Sequence, residues 1–469
     1  MGTPKKFAIR TFGCQINEHD SERLDSERLA GLMVADGMVP TADESEADVV
    51  IFNTCTIREN ADLKLYSALG QMKAIKEARP QMQIAVGGCM AQKDRHQILE
   101  RAGWVDVVFG THNLASAPRL LERSRREGPI VEVLDAPDHE VNRDMAPALY
   151  AVREVAFAAW ITIQTGCDNT CAYCIVPSVR GEEISRPFDD LVIEAEMLAA
   201  SGVTEVTLLG QNVNSYGRDI TRRRPLFADL LRALGRVEGI ERIRYTSPHP
   251  KDLSPETIAA MAETPNVCPQ LHLPLQSGSN RVLRSMQRSY KVERYMDRLA
   301  RARAAIDDLA VTTDLIVGFP GESDADFDET LEVVAACEFD SAYTFIFSPR
   351  EGTHGASMTS QFIPDDVIKA RFERLKKVLD RSALRKHEAR VGLREEVLVE
   401  GPSRRNELMF SGRTRQGKLI HFPQVDESLR AGSLVMVDVT HGAPYHLLGE
   451  YASTVRAPRH RVRIPLLHS

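Results

Sequence analysis

Residues 165–181 read TGCDNTCAYCIVPSVRG, and three cysteines fall within eight positions there, Cys167, Cys171 and Cys174, with no fourth nearby. The spacing C-x3-C-x2-C lets one compact loop bind three irons of an iron-sulfur cube. Structural zinc asks for four protein ligands in a closed tetrahedron, often as two separated pairs. A redox C-x-x-C pair, Cys171 with Cys174, leaves Cys167 unexplained. The run points to a cube with one iron left open to an outside molecule.

Working outward, the loop follows the strand-like FAAWITIQ. That run opens a series in which TEVTLLGQ, ERIRYTS, PQLHLPLQ, AVTTDLIVGF and DSAYTFIFS alternate with helical stretches such as DDLVIEAEMLAASG, FADLLRALGRVEG and SDADFDETLEVVAACEF. Six strand-helix repeats are two short of the eight-fold barrel. Residues 155–389 are therefore expected to form a partial, TIM-like (β/α)6 barrel, open on one side to a large substrate, with working residues at the carboxyl ends of its strands.

Residues 1–131 show a similar rhythm. KFAIRTF, ADVVIFNTC, QIAVGGC and VDVVFG alternate with the helical DSERLDSERLAGLMVADG and ENADLKLYSALGQMKAIKEARP, which predicts a parallel α/β sheet. Cys14, Cys55 and Cys89 each stand at or just past the carboxyl end of one of these strands. One sheet would bring them to a single rim, where open α/β sheets bind ligands. A lone buried cysteine is usually an inert hydrophobe; three in register at strand ends point to a joint ligand set. Cys268 and Cys337 have no partner at a ligand spacing and read as structural.

Residues 132–154 are irregular and read as a linker. Residues 390–455 hold five short β segments, EEVLVEGPS, ELMFSGRT, KLIHFP, SLVMVDVTHG and YHLLGEYA, the pattern of a small antiparallel barrel of the oligonucleotide-binding type. Arg404, Arg405, Arg413, Arg415 and Lys418 lie in or beside its turns. Residues 456–469 form a basic tail with Arg456, Arg459, Arg461 and Arg463, either a solvated terminus or a phosphate-contacting arm. The whole chain is an α/β protein by this reading.

At 469 residues the chain is too long for one ordinary domain of about 100–200 residues. Its net charge of −7 hides an asymmetry, +4 from Arg390 onward and −11 before it. No apolar run approaches the roughly 20 residues that span a bilayer, and the start MGTPKKFAIRTFGC offers no secretory apolar region. A soluble cytoplasmic protein without membrane partners is expected. The eight cysteines then read as metal or redox chemistry rather than as a disulfide framework.

The stretch GCDNTCAYCIVPSVRG resembles the cluster loop of the radical S-adenosylmethionine (SAM) enzymes. The resemblance implies that Cys167, Cys171 and Cys174 hold a 4Fe-4S cluster whose open iron is chelated by the amino and carboxylate groups of SAM. Over nearly the whole chain the sequence is similar to the methylthiotransferases within that group. TFGCQINEHDSERL, FNTCTIRENA and GGCMAQ match their N-terminal domain, implying Cys14, Cys55 and Cys89 as ligands of a second 4Fe-4S cluster. RGEEISRP, LLGQNVNSY, SPHP, LHLPLQSGSNRVLRSMQR and DLIVGFPGE match the radical SAM core, and VLVEGPSRRNELMFSGRT the RNA-binding TRAM domain. GCQINEHDSE, RGEEISRP and VEGPSRRN are most similar to the branch that converts isopentenyl(dimethylallyl)adenosine, immediately 3′ of the anticodon in tRNA, into its 2-methylthio form.

The resemblance also implies a SAM pocket. Gly210, Gln211 and Asn212 would hold the methionine part, Gly318 would let the backbone approach the adenine, and Tyr173 would lie near it. His249 and Gln276 sit at other strand ends, as pocket residues or as caps of turns. Implied partners are the tRNA anticodon stem-loop, an electron donor such as flavodoxin or ferredoxin, and iron-sulfur assembly or sulfur-donor proteins, with the chain itself a monomer. One departure stands out in SPREGTHGASM, where Glu351 and His354 replace two family prolines, a loss of turn rigidity. Methylthiolation of threonylcarbamoyladenosine or of a ribosomal-protein aspartate would share the clusters and differ only in substrate. A non-catalytic iron-sulfur RNA-binding sensor and a zinc-stabilised RNA-binding protein are the alternatives of another class.

Overall fold

The computed structural model describes residues 4–12, 21–54, 59–134, 153, 155–425 and 429–459. The chain divides into two compact units. One takes Met1–Glu154 with Gln164–Thr170 and Cys174–Ile184; the other takes Val155–Ile163, Cys171–Tyr173 and Ser185–Ser469. Among the described residues no helix is long and apolar enough to cross a membrane.

The first unit is built on strands β1 (Lys6–Phe12), β2 (Val39–Pro40), β3 (Val49–Thr54), β4 (Gln83–Gly88), β5 (Val107–Phe109) and β6 (Ile130–Glu132), in the order β2-β1-β3-β4-β5-β6. Every pairing is parallel. Such a sheet must be covered on both faces, which is why VVIF in β3 is continuously apolar. Val50 and Phe52 pack against Leu65, Leu69 and Met72 of the helix Glu59–Ala78. Val49 and Ile51 join a second core with Leu29 and Met33 of the helix Ser21–Ala35. Each such burial contributes about 1.5–3 kcal/mol. The expected strands are present, and two more, β2 and β6, flank them. These have two and three residues; β2 is followed by polar chain, and β6 runs into the start of the expected linker.

Next come β7 (Ala158–Thr162), the two-residue β8 (Gln164–Thr165) and β9 (Ile184–Ser185) on either side of the cysteine loop, then β10 (Glu205–Leu209), β11 (Arg242–Tyr245), β12 (Gln270–His272), β13 (Ala310–Val317) and β14 (Ser341–Ile346). In the second unit the parallel sheets β11-β10-β7 and β12-β13-β14 are linked by a parallel bridge from Ile243 to Val267. All six expected strands form. Among the described residues no pairing joins β7 to β14, as an open (β/α)6 arrangement requires.

The chain ends in β15 (Arg394–Ser403), β16 (Asn406–Thr414), β17 (Leu419–Pro423), β18 (Leu434–Ala443) and β19 (His446–Arg456), which close as β15-β16-β17-β19-β18. Val397, Val399, Phe410, Ile420, Phe422, Val435, Val437 and Leu447 fill it. Four of its five pairings are antiparallel, as expected for a small antiparallel barrel, and the fifth joins β17 and β19 in parallel, with Ile420 opposite Leu447. Strand directions cannot alternate all the way around a closed ring of five.

This barrel is fastened to the (β/α)6 strands by buried cations. Arg242, with 1% of its side chain exposed, donates to Glu396 Oε1 at 3.0 Å and to the Arg413 carbonyl at 2.8 Å. Arg244 donates to the carbonyls of Thr414 (2.9 Å) and Arg415 (3.0 Å) while pairing with Glu205. Lys418 pairs with Asp340 at 2.6 Å, both buried. Arg415 reaches the Pro265 carbonyl, Arg413 pairs with Glu400, and Arg456 and Arg459 face Glu241. Several of the basic residues noted from sequence are thus committed within the protein. Arg404 and Arg405, at the β15–β16 turn, are exposed. Arg461 and Arg463 lie outside the described residues.

Candidate active site

Strands β1, β3 and β4 are consecutive neighbours, with Phe12 opposite Thr54 and Thr54 opposite Gly88. Neighbouring strands lie about 4.8 Å apart, so these three ends share one short stretch of the sheet's carboxyl rim. Cys14, Cys55 and Cys89 follow those ends by two, one and one residues. Cys14 and Cys55 lie outside the described residues. Cys89 is buried, opens the helix Cys89–Asp94 and packs against Ile175 and Val179. Gly88 before it has φ +93°, and a Cβ there would lie 2.5 Å from the Thr54 carbonyl oxygen, so only glycine lets β4 turn into that helix.

Two of the loop cysteines are held within the first unit. Cys167 is buried, its N–H donates to the Gly181 carbonyl at 3.1 Å, and its Sγ accepts from Asn169 Nδ2 at 3.3 Å. Asp168 accepts the Glu183 N–H at 2.9 Å. Gly166 has φ +74°, and a Cβ there would lie 1.8 Å from the Glu182 carbonyl oxygen. The segment RGEEIS is thus the backbone against which the first half of the cysteine loop is laid. Cys174 is half-buried and precedes the short helix Val176–Arg180. Arg180 pairs with Asp25 at 3.3 Å, and Thr111 Oγ1 donates to the Val179 carbonyl at 2.8 Å. Burial, with Arg180 nearby, pushes the His112 pKa down to about 4.

Cys171 belongs to the second unit, half-buried, and its Sγ accepts from Arg288 Nη1 at 3.2 Å. The same guanidinium reaches the Tyr290 hydroxyl at 3.2 Å and lies over its ring. Tyr290 in turn donates to the carbonyls of Pro274 and Leu275 at the end of β12. Arg288 and Tyr290, in MQRSY, were missed from sequence, since a lone Arg-x-Tyr has no period or spacing of its own. Tyr173 packs beside Ala172, Phe319, Phe347 and Met358. The Ala172 carbonyl accepts the Gly355 N–H at 2.7 Å. That ties the loop to the segment carrying Glu351 and His354. There Thr353 caps the helix His354–Ser357, its Oγ1 accepting from the Ala356 N–H at 3.3 Å, so a cap holds the turn where the prolines are missing.

At the strand ends the expected pocket residues separate by role. Gln211 follows β10 and Gln276 follows β12, and the side-chain oxygen of each is buried without a hydrogen-bond partner among the described residues. Gln276 also has φ +68°, a backbone conformation costing about 1–3 kcal/mol in a non-glycine residue. Both therefore present acceptors to a missing donor. Gly210 is buried beside Gln211. Asn212 is committed to structure, donating to Asp252 at 2.9 Å. His249 is a turn cap, its Nδ1 accepting from the Lys251 N–H at 3.1 Å. Burial and then Arg288 push its pKa down to about 2, so it stays neutral. Gly318, at φ +78°, would meet Ile368 of the helix Asp365–Glu388 at 2.7 Å if it had a Cβ, and its N–H is taken by Glu322. Helix packing accounts for this glycine. Among the described residues no three His, Cys, Asp or Glu side chains gather as a single-ion site; a cube asks instead for thiolates set apart on separate irons.

Residues 161–334 match the model of the radical SAM superfamily, and residues 6–110 that of uncharacterized protein family UPF0004. Among solved structures the chain is similar to a radical S-adenosylmethionine methyltransferase from Kitasatospora setae, with TM-score 0.53 at 12% identity over 76% of this chain and 77% of that one. That likeness shows a shared fold. The chain is 50% identical to tRNA-2-methylthio-N(6)-dimethylallyladenosine synthase 1 of Mycobacterium marinum, over 96% of this chain and 86% of the relative. It is 52% identical to the synthase of Acidothermus cellulolyticus, over 97% and 90%. With identity of that level over 96–97% of its length, the chain belongs to the tRNA-2-methylthio-N(6)-dimethylallyladenosine synthase family of radical SAM proteins.

Proposed function

We propose that this chain converts dimethylallyl(isopentenyl)adenosine, immediately 3′ of the anticodon in tRNA, into its 2-methylthio derivative, as a cytoplasmic monomer using SAM and two 4Fe-4S clusters. The observation that carries the reading is 50–52% identity over 95–97% of the chain to relatives bearing that name. Cys167, Cys171 and Cys174 would hold the cluster that takes SAM, and Cys14, Cys55 and Cys89 the second. When bound, these groups supply a 5′-deoxyadenosyl radical for hydrogen removal and a sulfur for transfer. A flavodoxin or ferredoxin would provide electrons, and iron-sulfur assembly or sulfur-donor proteins would replace the sulfur.

The protein's own residues bind and orient. Arg288 directs N–H at the Cys171 sulfur and places a positive charge beside it, which fixes the ligand's orientation. The buried oxygens of Gln211 and Gln276 offer acceptors that the amino and hydroxyl groups of SAM would satisfy. Leaving each unmade costs about 1–3 kcal/mol. Neutral His249 holds its turn. Tyr173 and its apolar neighbours suit an aromatic ring.

Anaerobic reconstitution tests the assignment. About eight irons per chain are expected from two cubes, and about four in either Cys171→Ala or Cys89→Ala. Cys171→Ala should lose SAM cleavage, while Cys89→Ala should keep it and lose methylthiolation. In a deletion strain, wild type should restore 2-methylthio-isopentenyladenosine, seen by mass spectrometry of tRNA nucleosides. Appearance of the group on threonylcarbamoyladenosine instead would refute the substrate.

A further inference from the structure

A groove of about 500 Å³ opens between the helices Asn280–Ser285 and Val292–Ala305, lined by Asn280, Arg284, Arg288, Tyr290, Lys291, Glu293 and Arg294 among others. Four cations face one carboxylate there, in a chain whose net charge is −7. Glu293 is already engaged by Asn280 Nδ2 at 2.9 Å.

Other cations nearby are committed. Arg281 pairs with Asp326, Arg298 donates to the Pro250 carbonyl, and Arg301 pairs with Asp297 at 3.0 Å. Arg284, Lys291 and Arg294 are exposed, and among the described residues their side chains make no ion pair or hydrogen bond. Arg294 also stands one turn from Arg298, a like-charge pair that costs a helix about 0.2–0.5 kcal/mol. An anion in the groove would relieve that repulsion. The floor is Arg288, whose guanidinium touches Cys171 Sγ at 3.2 Å, so an occupant lies beside the cysteine loop.

We propose that Arg284, Lys291 and Arg294 seat backbone phosphates of the RNA substrate in this groove, placing the strand next to the SAM-binding loop. This rests on the tRNA reading above and deepens it. The volume suits a nucleotide-sized group. A row of solvent-facing cations is what a continuous polyanion can use, since each neutralised phosphate releases counterions.

The test uses the full reconstituted protein and a fluorescent anticodon stem-loop carrying isopentenyladenosine. Binding is followed by anisotropy across a KCl series. The combined variant Arg284→Gln, Lys291→Gln, Arg294→Gln should weaken binding at least about tenfold and flatten the log-log salt slope by about two to three units. A control removing three charges from the exposed face of the helix Asp365–Glu388, Lys369→Gln, Lys376→Gln, Lys377→Gln, should change the slope by less than about one unit. SAM cleavage without RNA should be unchanged in both. Lys291→Glu alone, a single surface change, should show the same direction if the triple variant folds poorly.

An unchanged slope and affinity overturn the groove. A raised KM for SAM in RNA-free cleavage overturns it too, by giving the cations to the cofactor carboxylate. If wild type itself fails to bind the stem-loop, the tRNA reading falls; if wild type binds and the variants match it, only the groove falls.

Discussion

At the scale of single residues, the most demanding positions are those where backbone and chemistry meet. Gly88→Ala places a Cβ 2.5 Å from the Thr54 carbonyl oxygen at φ +93°, and should cost roughly 1–3 kcal/mol in urea unfolding. It should also lower iron content, because Cys89 is the next residue. Arg288→Gln removes a charged N–H donor from Cys171 Sγ. Hydrogen bonds to cluster sulfurs help set the reduction potential, so EPR-monitored titration should give a more negative potential. Arg288→Lys should fall between the two, keeping charge but losing the planar fork. A potential unmoved by Arg288→Gln would show that the contact does not reach the cluster. The loop triad stands out in the sequence by its spacing, and Cys14, Cys55 and Cys89 by their places after strand-like runs. Arg288 does not, because what it touches comes from 117 positions away.

Elements bring in groups that are local in chain but buried by their neighbours. His112, His249 and His387 lie in three different segments, and burial pushes their pKa values down to about 4, 2 and 4. In the unfolded chain they titrate near 6.5. Between about pH 4 and 6.5 the unfolded state therefore binds more protons, and stability rises with pH through that window. The urea midpoint should fall steadily from pH 7 to pH 5, a range where exposed carboxylates remain ionised, and level off above pH 7. A flat midpoint would mean that these imidazoles are not held neutral. The strands themselves were legible wherever four or more residues repeated a pattern. Edge strands β2 and β6 were not, since β2 is two residues followed by polar chain and β6 runs directly into the irregular segment that reads as a linker.

For the whole molecule, the test is whether the C-terminal barrel acts as a separate module. Arg242 is 1% exposed and is held by Glu396 and the barrel carbonyls of Glu396 and Arg413. Removing one partner of a buried pair costs about 3–5 kcal/mol, less here because Glu396 is partly solvated. Arg242→Met should lower the melting temperature and let limited proteolysis cut the barrel free near residue 390, which wild type should resist. Release of the barrel from wild type at the same rate would contradict the fastening.

From its sequence alone this protein was determined as two α/β series and a small β-barrel, with two cysteine triads at strand ends. Those features are written in periodicity and in the ligand chemistry of closely placed or strand-terminal thiols, both local properties. Only the tertiary structure decided that β1, β3 and β4 are adjacent, that two barrel strands run parallel, and that Arg242, Arg244 and Lys418 face inward while Arg284, Lys291 and Arg294 face solvent. Which strands become neighbours depends on closure of the whole sheet, and a long cation's partner depends on which surface folding brings within its reach.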